Sequence, residues 1–240
     1  MTNKLHVLCD FDGTITVRDT VDVLLSELAD PAWEEIEEQW VRGEIGSREC
    51  MARQIPLIRG GWPAVQRILD KVEIEPDFAG FVGWCRSVEI PVIVVSDGLD
   101  RVIRYLFDQR GIVVNAVYAN HLVEKADGSF SLISGQAARE PGCQSGVCKC
   151  RIADAQGKNL KVVIGDGRSD FCWAKEADLL FAKHKLADHC RSEHIPYIAY
   201  DSFTAIQTYL KEQSVFVPAP PSSVFGSTPF SGGTGNFSAY

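Results

Sequence analysis

Two aspartates stand directly behind the first apolar run of the chain. The run covers residues 5–9, Asp10 ends it, and Asp12 and Gly13 follow closely. A short apolar run is typical of a buried strand, and parallel sheets bind ligands at the carboxyl ends of their strands. Together with a dication, one carboxylate can act as a nucleophile while the other transfers protons. Gly13 permits a tight turn, whose exposed N–H groups can bind an anion.

A calcium-binding loop is the alternative explanation of the D-x-D-G string at residues 10–13. Such a loop follows a helix and places a glutamate at its twelfth position. Here the string follows a strand-like run, and the twelfth position counted from Asp10 is Val21. The sequence therefore argues against calcium and for a site at the end of a strand.

A second pair of aspartates follows another apolar run. Residues 162–164 lead towards Asp166, and Asp170 stands four positions later, where the next helix is predicted to begin. At this spacing both carboxylates can point into one cleft. The alternative is that Asp170 or Ser169 merely caps that helix. A cap, however, would not explain two acid-bearing strand ends in one sheet.

A hydroxyl and an ammonium group complete the set. Ser96 follows the apolar residues 92–95, and Lys149 precedes a helical stretch. A transferring phosphoryl group needs donors of these kinds from the protein. Taken singly, Ser96 would be an ordinary helix cap and Lys149 a solvated surface residue. Their order between the two acidic motifs favours a site for phosphoryl transfer.

The periodicity of the chain predicts how these residues are positioned. From residue 20 to about residue 86, apolar residues recur at helical spacing, which predicts four or five helices. From residue 90 onwards strands alternate with helices, which indicates a parallel sheet with right-handed crossovers. Asp127 and Gly128 predict a hairpin turn. The predicted fold class is α/β, a doubly wound, Rossmann-like parallel sheet with a helical insertion after the first strand.

The periodicity and composition of the chain predict three segments. Residues 1–17 and 86–213 form a catalytic core, residues 18–85 form a helical cap, and residues 214–240 form a low-complexity tail. The tail contains no Lys, Arg, Asp or Glu and is rich in Ser, Gly and Pro. That composition is typical of disorder, and the alternative is a weak docking segment built on its isolated aromatic residues.

Composition and charge exclude several classes of function. The chain has 24 basic and 32 acidic residues, so its formal net charge of -8 makes it a poor match for nucleic acid or anionic lipid. No apolar run approaches the roughly 18 residues that cross a bilayer, and the N-terminus lacks the features of a signal peptide. We expect a cytoplasmic protein, a monomer or homodimer, with no nucleic-acid or membrane partner.

Three of the eight cysteines cluster, at Cys143, Cys148 and Cys150. A structural zinc needs four ligands, and here the fourth would have to come from Cys172 or His121. A disulfide is the second alternative. Reduced thiols are the third, and the absence of an export signal favours them.

The ordered set of motifs resembles the haloacid dehalogenase superfamily of phosphotransferases over about residues 5 to 213. The helical insertion is similar to the cap of its phosphoserine-phosphatase-like branch. Within that branch, residues 10–16 and the cysteine loop at residues 142–149 resemble the phosphatases of methionine salvage, which act on a methylthio-pentenyl phosphate. One departure is Asp97, because the resemblance leads us to expect Ser-Gly-Gly where Ser-Asp-Gly stands. The cysteine spacing is also sparser than expected.

The resemblance implies a role for each motif residue. Asp10 is the nucleophile that forms an aspartyl-phosphate, and Asp12 is the general acid and base. Mg²⁺ is expected on the Asp10 carboxylate, the Asp12 backbone carbonyl and Asp166, with Asp170 supporting them. The phosphoryl oxygens are expected to be held by Ser96, Lys149 and the backbone of Phe11, Asp12 and Gly98.

Substrate choice is expected to lie in the helical insertion, with Asp19 and Arg53 as candidates for specificity. The alternatives are that Asp19 caps a helix and that Arg53 is a solvated helix arginine. The predicted substrate is a small phosphorylated metabolite, with phosphoserine or a phospho-amino alcohol behind the methionine-salvage compound. Two further classes are a carbon–halogen hydrolase, which has no use for the acid at Asp12, and a catalytically silent phosphate-sensing interaction module.

Overall fold

The structure is a computed structural model that describes residues 4–135 and 143–213. Within these residues, seven strands form one sheet. They are β1 (Leu5–Cys9), β2 (Val92–Leu99), β3 (Ala116–Glu124), β4 (Phe130–Ile133), β5 (Leu160–Gly165), β6 (Leu179–Ala182) and β7 (Ile198–Ala199). Their order across the sheet is β4-β3-β2-β1-β5-β6-β7.

Neighbouring strands run parallel except at one edge, where β4 pairs antiparallel with β3. The side chains of β1 enter two apolar clusters, with Val7 and Cys9 in one cluster and Leu8 in the other. Burial on both faces is what parallel strands rich in Val, Ile and Leu require. The prediction of an α/β fold with a doubly wound parallel sheet is confirmed, and so is the hairpin at residues 127–128, which joins β3 to β4.

The helices of the described segments cover both faces of the sheet and the edge where the acidic motifs end. They are α1 (Thr20–Leu28), α2 (Trp33–Val41), α3 (Ser47–Gln54), α4 (Gly61–Leu69), α5 (Phe78–Ser87), α6 (Asp100–Asp108), α7 (Lys149–Asp154), α8 (His184–Ser192) and α9 (Phe203–Glu212). Short 3₁₀ turns occur at Ile55–Leu57, Arg168–Asp170 and Ala174–Glu176. No helix in these segments has the length and apolar character needed to cross a bilayer.

Helix α5 lies in the predicted insertion but packs on the core. Its Phe78 ring lies 4.8 Å from the ring of Phe203 in α9 and 6.0 Å from that of Phe107 in α6. The helices that can cover the site are therefore α1 to α4, and the boundary at residue 85 stays a prediction. The predicted tail, residues 214–240, lies outside the described residues.

One strand begins later than its apolar residues predict. The apolar residues between 112 and 118 predict a strand over that range, but β3 starts at Ala116. Ile112 instead closes the end of α6, because its N–H donates to the carbonyl of Phe107 at 3.0 Å and its side chain is buried. Gly111 adopts φ +61°, the left-handed conformation that ends helices in this way.

Candidate active site

Three neighbouring strands bring the polar motifs to one edge of the sheet. Asp10 follows β1, Asp166 follows β5, and Ser96 lies near the end of β2. Because β2, β1 and β5 are adjacent and parallel, their carboxyl ends meet. The N–H of Asp10 also donates to the carbonyl of Ile164 in β5 at 2.9 Å. The fold therefore brings together side chains that are far apart in the chain.

Lys149 is the centre of this group. Its Nζ lies 2.7 Å from Asp10 Oδ1 and 2.7 Å from Asp170 Oδ1, and it donates to Ser169 Oγ at 3.0 Å. The lysine side chain is only 1% exposed, so the alternative of a solvated surface residue is wrong. Burial alone lowers the pKa of Lys149, but the two carboxylates outweigh it and raise that pKa above its ordinary value.

The two carboxylate oxygens of Asp170 have different partners. Its Oδ1 pairs with Lys149, while its Oδ2 accepts the backbone N–H groups of Asp166 and Gly167 at 3.0 and 3.1 Å. The second set of bonds fixes the turn after β5, which is the capping role considered above. The capping alternative therefore holds for Asp170, while its role in supporting a metal site stays a prediction.

Three carboxylates converge beside the lysine. Oxygens of Asp10, Asp166 and Asp170 lie within 4.8 Å of one another. Burial, followed by the charge of Asp170, raises the pKa of Asp10 well above its ordinary value and also raises the pKa of Asp166. One ammonium group does not balance three close carboxylates, so this cluster favours a cation. Carboxylate oxygens are the ligands that Mg²⁺ prefers, and the donor set fits that ion.

Asp12 is held on the other side of the cluster. Its Oδ1 accepts the N–H of Thr20 at 2.8 Å and the Thr20 hydroxyl at 2.6 Å, and its Oδ2 accepts Ser96 Oγ at 3.3 Å. Burial raises the pKa of Asp12, although these hydrogen bonds counteract it. A fixed carboxyl with a raised pKa is suited to donate and accept protons.

Two threonines in the site were not singled out from the sequence. Thr20 holds Asp12, and Thr14 Oγ1 donates to Asp166 Oδ1 at 2.8 Å. Thr14 ends the D-x-D-G-T string, so its position beside the motif was a usable signal. The role of Thr20 depends on the start of α1 folding back onto the loop, which spacing does not reveal.

Two glycines are required by close approach. A Cβ atom on Gly13, which has φ +74°, would lie 2.6 Å from Asp166 Oδ2, and one on Gly98 would meet the Asp12 carboxylate. The backbone N–H of Gly98 donates to Ser96 Oγ at 2.8 Å, and that of Phe11 donates to Asp10 Oδ1 at 2.8 Å. Of the three backbone groups predicted to hold phosphoryl oxygens, those of Phe11 and Gly98 thus donate to predicted site side chains.

A cavity of about 420 Å³ opens above this cluster. Its floor includes Asp10, Asp12, Ser96, Gly98 and Asp166. On the side of the helical insertion it is lined by Asp19, Asp22, Glu37, Trp40, Ser47 and Met51, among others. The cavity thus runs from the strand ends to helices α1, α2 and α3.

The two candidates for specificity lie in different places. Asp19 caps α1, with Oδ1 accepting the N–H groups of Val21 and Asp22 at 2.8 and 3.1 Å, and it also lines the cavity. Arg53 is not among the residues that line the cavity. Its Nη1 donates to Oε1 of Gln39 at 2.8 Å, and its side chain is 41% exposed. The structure therefore brings Asp19 to the site and leaves Arg53 on the surface of α3.

Asp97, the departure noted in the sequence, joins the insertion to the core. Its Oδ2 accepts the hydroxyl of Ser47 in α3 at 2.5 Å, and its Oδ1 accepts the N–H of Val147 at 2.9 Å. Val147 stands two positions before Lys149. The carboxylate thus links the cap side of the cavity to the segment that carries the lysine.

The cysteines lie near the site as free thiols. The thiol of Cys143 lies 2.9 Å from Ser145 Oγ, and the thiol of Cys172 donates to the carbonyl of Ser169 at 3.8 Å. Within the described segments, no three of these sulfurs lie within 4.8 Å of one another, and His121 bonds to Asp100 instead. The described thiols therefore do not form the tetrahedral set that a structural zinc requires.

Carboxylates at adjacent ends of a parallel sheet, a buried lysine and a covering set of helices define a hydrolase of one family. The model of the haloacid dehalogenase-like hydrolases matches residues 7–175. The chain belongs to that family, as the resemblance of its motifs implies.

Individual relatives extend over nearly the whole described chain. A 2-hydroxy-3-keto-5-methylthiopentenyl-1-phosphate phosphatase of Brevibacillus brevis is 27% identical, over 88% of this chain and 97% of the relative. The Pdp3-interacting factor 1 of Schizosaccharomyces pombe is 29% identical, over 87% and 96%. A solved structure of a phosphoserine phosphatase with bound substrate has a TM-score of 0.64 at 19% identity, covering 87% of this chain and 99% of that one. This last likeness concerns the fold.

Proposed function

We propose that this chain is a Mg²⁺-dependent phosphatase that hydrolyses a small phosphorylated metabolite through an aspartyl-phosphate. One observation carries the proposal: buried Lys149 lies 2.7 Å from Asp10 and 2.7 Å from Asp170, at the edge of the sheet where Asp12 is also held. An ammonium group beside a nucleophilic carboxylate offsets the negative charge of an incoming phosphoryl group.

The first step is attack by Asp10 on phosphorus. A carboxylate oxygen of Asp10 forms the new bond, the bond from phosphorus to the ester oxygen breaks, and Asp12 gives its proton to the departing alkoxide. The raised pKa of Asp12 keeps that proton available closer to neutral pH than an ordinary carboxyl would. Ser96 and Thr20 keep the Asp12 carboxyl aimed into the cavity.

The second step regenerates the enzyme. Asp12, now ionised, takes a proton from water while the water oxygen attacks the phosphorus of the aspartyl-phosphate. The bond to Asp10 breaks, inorganic phosphate leaves, and Asp12 is protonated again. One residue thus serves as acid and then as base, which requires that it stay fixed between the steps.

The carboxylates of Asp10 and Asp166 and the backbone carbonyl of Asp12 would hold Mg²⁺, and the carboxylate of Asp170 beside them would support these ligands. When bound, the ion supplies charge that offsets both the clustered carboxylates and the phosphate. The remaining oxygens of the cluster are already fixed, since Asp166 Oδ1 accepts Thr14 and Asp170 accepts two N–H groups.

For the substrate, we propose the 2-hydroxy-3-keto-5-methylthiopentenyl-1-phosphate named for the bacterial relatives. The cavity wall supports it, because Val21, Trp40 and Met51 offer an apolar surface for a methylthio group. A phospho-amino alcohol is the second candidate. Asp19, Asp22 and Glu37 line the same cavity and would favour an ammonium group. We place the reaction in the cytoplasm, on a monomer or homodimer.

A panel of phosphate esters tests the proposal. Purified protein is assayed with phenyl phosphate, the methylthio-pentenyl phosphate, phosphoserine and phosphoethanolamine, each with Mg²⁺ and with EDTA. We expect Mg²⁺-dependent phosphate release, fastest from the methylthio-pentenyl phosphate. Preference for phosphoethanolamine or phosphoserine would favour the second candidate. No hydrolysis of any ester would favour the phosphate-sensing module, and hydrolysis unaffected by EDTA would contradict the metal.

A further inference from the structure

Arg168 stands between the two aspartates of the second acidic motif, but its side chain forms no ion pair with either of them. It begins the 3₁₀ turn Arg168–Asp170, and its side chain is exposed rather than buried with Asp170. Its guanidinium carbon lies 5.2 Å from the centre of the Trp40 ring in α2. Arg168 and Trp40 both line the cavity. The motif thus sends one long side chain from the core towards the helical insertion.

The guanidinium has no polar partner among the residues that the structure describes. Arg168 takes part in none of the ion pairs found there, although Asp19, Asp22 and Glu37 line the same cavity. An arginine has five N–H donors, and a cation over an aromatic face keeps the donors at its edge available. The guanidinium of Arg53, by contrast, donates to Gln39 and Glu49. Arg168 is therefore a positioned donor group that faces a cavity.

The phosphate end of the cavity already has its donors. Ser96 lines the floor of the cavity, and Lys149 lies buried beneath it against Asp10, whereas the residue on which Arg168 packs belongs to the insertion. The part of a substrate that reaches Trp40 is the part remote from phosphorus. A planar guanidinium there is suited to carbonyl or carboxylate oxygens, which it can bind with two parallel N–H groups.

We infer that Arg168, held by Trp40, is a specificity-determining residue that binds a carbonyl or carboxylate oxygen on the substrate, remote from its phosphate. The inference rests on the proposed phosphatase function and adds to it a recognition group contributed by the core. It also assigns the chemical class of substrate: a phosphomonoester whose leaving group carries an acceptor oxygen.

Three rigid esters test this assignment. Phenyl phosphate has no acceptor on its ring, whereas 4-acetylphenyl and 4-carboxyphenyl phosphate carry a ketone and a carboxylate. Each ester is assayed with wild-type protein and with Arg168→Ala, so that the ratio of the two kcat/KM values removes differences in the leaving group. We expect a loss of about tenfold or more on at least one acceptor ester and less than about threefold on phenyl phosphate.

Further variants separate the contributions. Arg168→Lys keeps the positive charge but loses the two parallel N–H donors of the guanidinium. It should therefore retain activity better on the carboxylate ester than on the ketone ester. Trp40→Leu should cause a smaller loss in the same direction. Arg42→Ala is the matched control, because Arg42 also belongs to this region but pairs with Glu38 and Glu44 on the surface. It should change no ratio.

The outcomes distinguish the inference from the function beneath it. Losses on Arg168→Ala that agree within about threefold across all three esters, or no loss at all, would overturn the role of Arg168. In either case the wild-type protein still hydrolyses phenyl phosphate with Mg²⁺, and the phosphatase proposal stands. Failure of the wild-type protein on all three esters would instead overturn the proposed function, and the inference with it.

Discussion

The two ends of the cavity are built in different ways. At the phosphate end, Lys149, Asp10 and Asp170 have side chains that are 1%, 5% and 0% exposed, and each is tied to another by a hydrogen bond or ion pair. At the cap end, Arg168 and Asp22 are exposed, and Arg168 rests on a ring rather than on a polar partner. Catalytic groups must be held in a productive geometry by the packing and hydrogen bonds around them, and the phosphate end is built in that way.

The two ends also differ in how they are connected to the fold. The phosphate end is attached to strands β1, β2 and β5, whose pairing fixes its residues relative to one another. The cap end depends on how α1, α2 and α3 pack over the sheet, with Asp97 and Ser47 as one point of contact. Substitutions at the phosphate end should therefore lower activity and stability more than substitutions at the cap end.

The largest effect is expected at Asp10. Asp10→Asn removes the nucleophile while keeping the size of the side chain, so turnover should fall by at least about three decades. The measurement is phosphate release with Mg²⁺, and circular dichroism checks that the fold is kept. Retention of more than about a tenth of wild-type activity would show that Asp10 is not the nucleophile.

A second prediction concerns the stability of the phosphate end. Lys149→Met leaves Asp10 and Asp170 buried without their shared cation, which should lower the free energy of unfolding by about 3–5 kcal/mol. Denaturant titration measures the change. Arg42→Met is the matched surface control and should leave the midpoint where it is, since its ion pairs are exposed. A similar small change in both variants would mean that burial does not distinguish the two ends.

Mg²⁺ should stabilise the protein in a pH-dependent manner. Burial and Asp170 raise the folded-state pKa of Asp10 and Asp166 above 3.8, so without metal their protonated forms favour the fold at low pH. That stability is lost as the pH rises through the raised pKa values. The increase in Tm on adding Mg²⁺ should therefore grow as the pH rises above the ordinary carboxyl range, and it should be much smaller in Asp166→Asn. An increase that is independent of pH would contradict this account of the cluster.

Sequence reasoning reached the phosphate end because its geometry follows from local rules. Asp10 and Asp12 stand next to a strand, and Asp166 and Asp170 stand at a spacing that one turn can bring together. Parallel strands then place both motifs at one edge. Thr20, by contrast, bonds to Asp12 only because α1 packs back on the loop. The spacing of residues along the chain does not predict a contact that depends on how a helix packs.

The cap end was harder to predict for the same reason. Helical periodicity places Arg53 on an insertion helix, but packing decides whether its exposed face meets the cavity. Arg168 lies inside a motif whose spacing is already explained by its two aspartates, so there was no separate reason in the sequence to single out the arginine between them. Its contact with Trp40 crosses more than a hundred residues of chain and depends on where α2 rests.

The smallest effect is expected at Arg53, and it sharpens the contrast with Arg168. The hypothesis drawn from the sequence is that Arg53 contacts substrate, but its side chain pairs with Glu49 at 3.4 Å and with Gln39 on the surface. Arg53→Ala should therefore leave kcat/KM within about threefold on phenyl phosphate and on the methylthio-pentenyl phosphate alike, since exposed ion pairs contribute little. A tenfold loss confined to the larger substrate would show that α3 moves over the cavity during turnover, bringing Arg53 to the substrate after all.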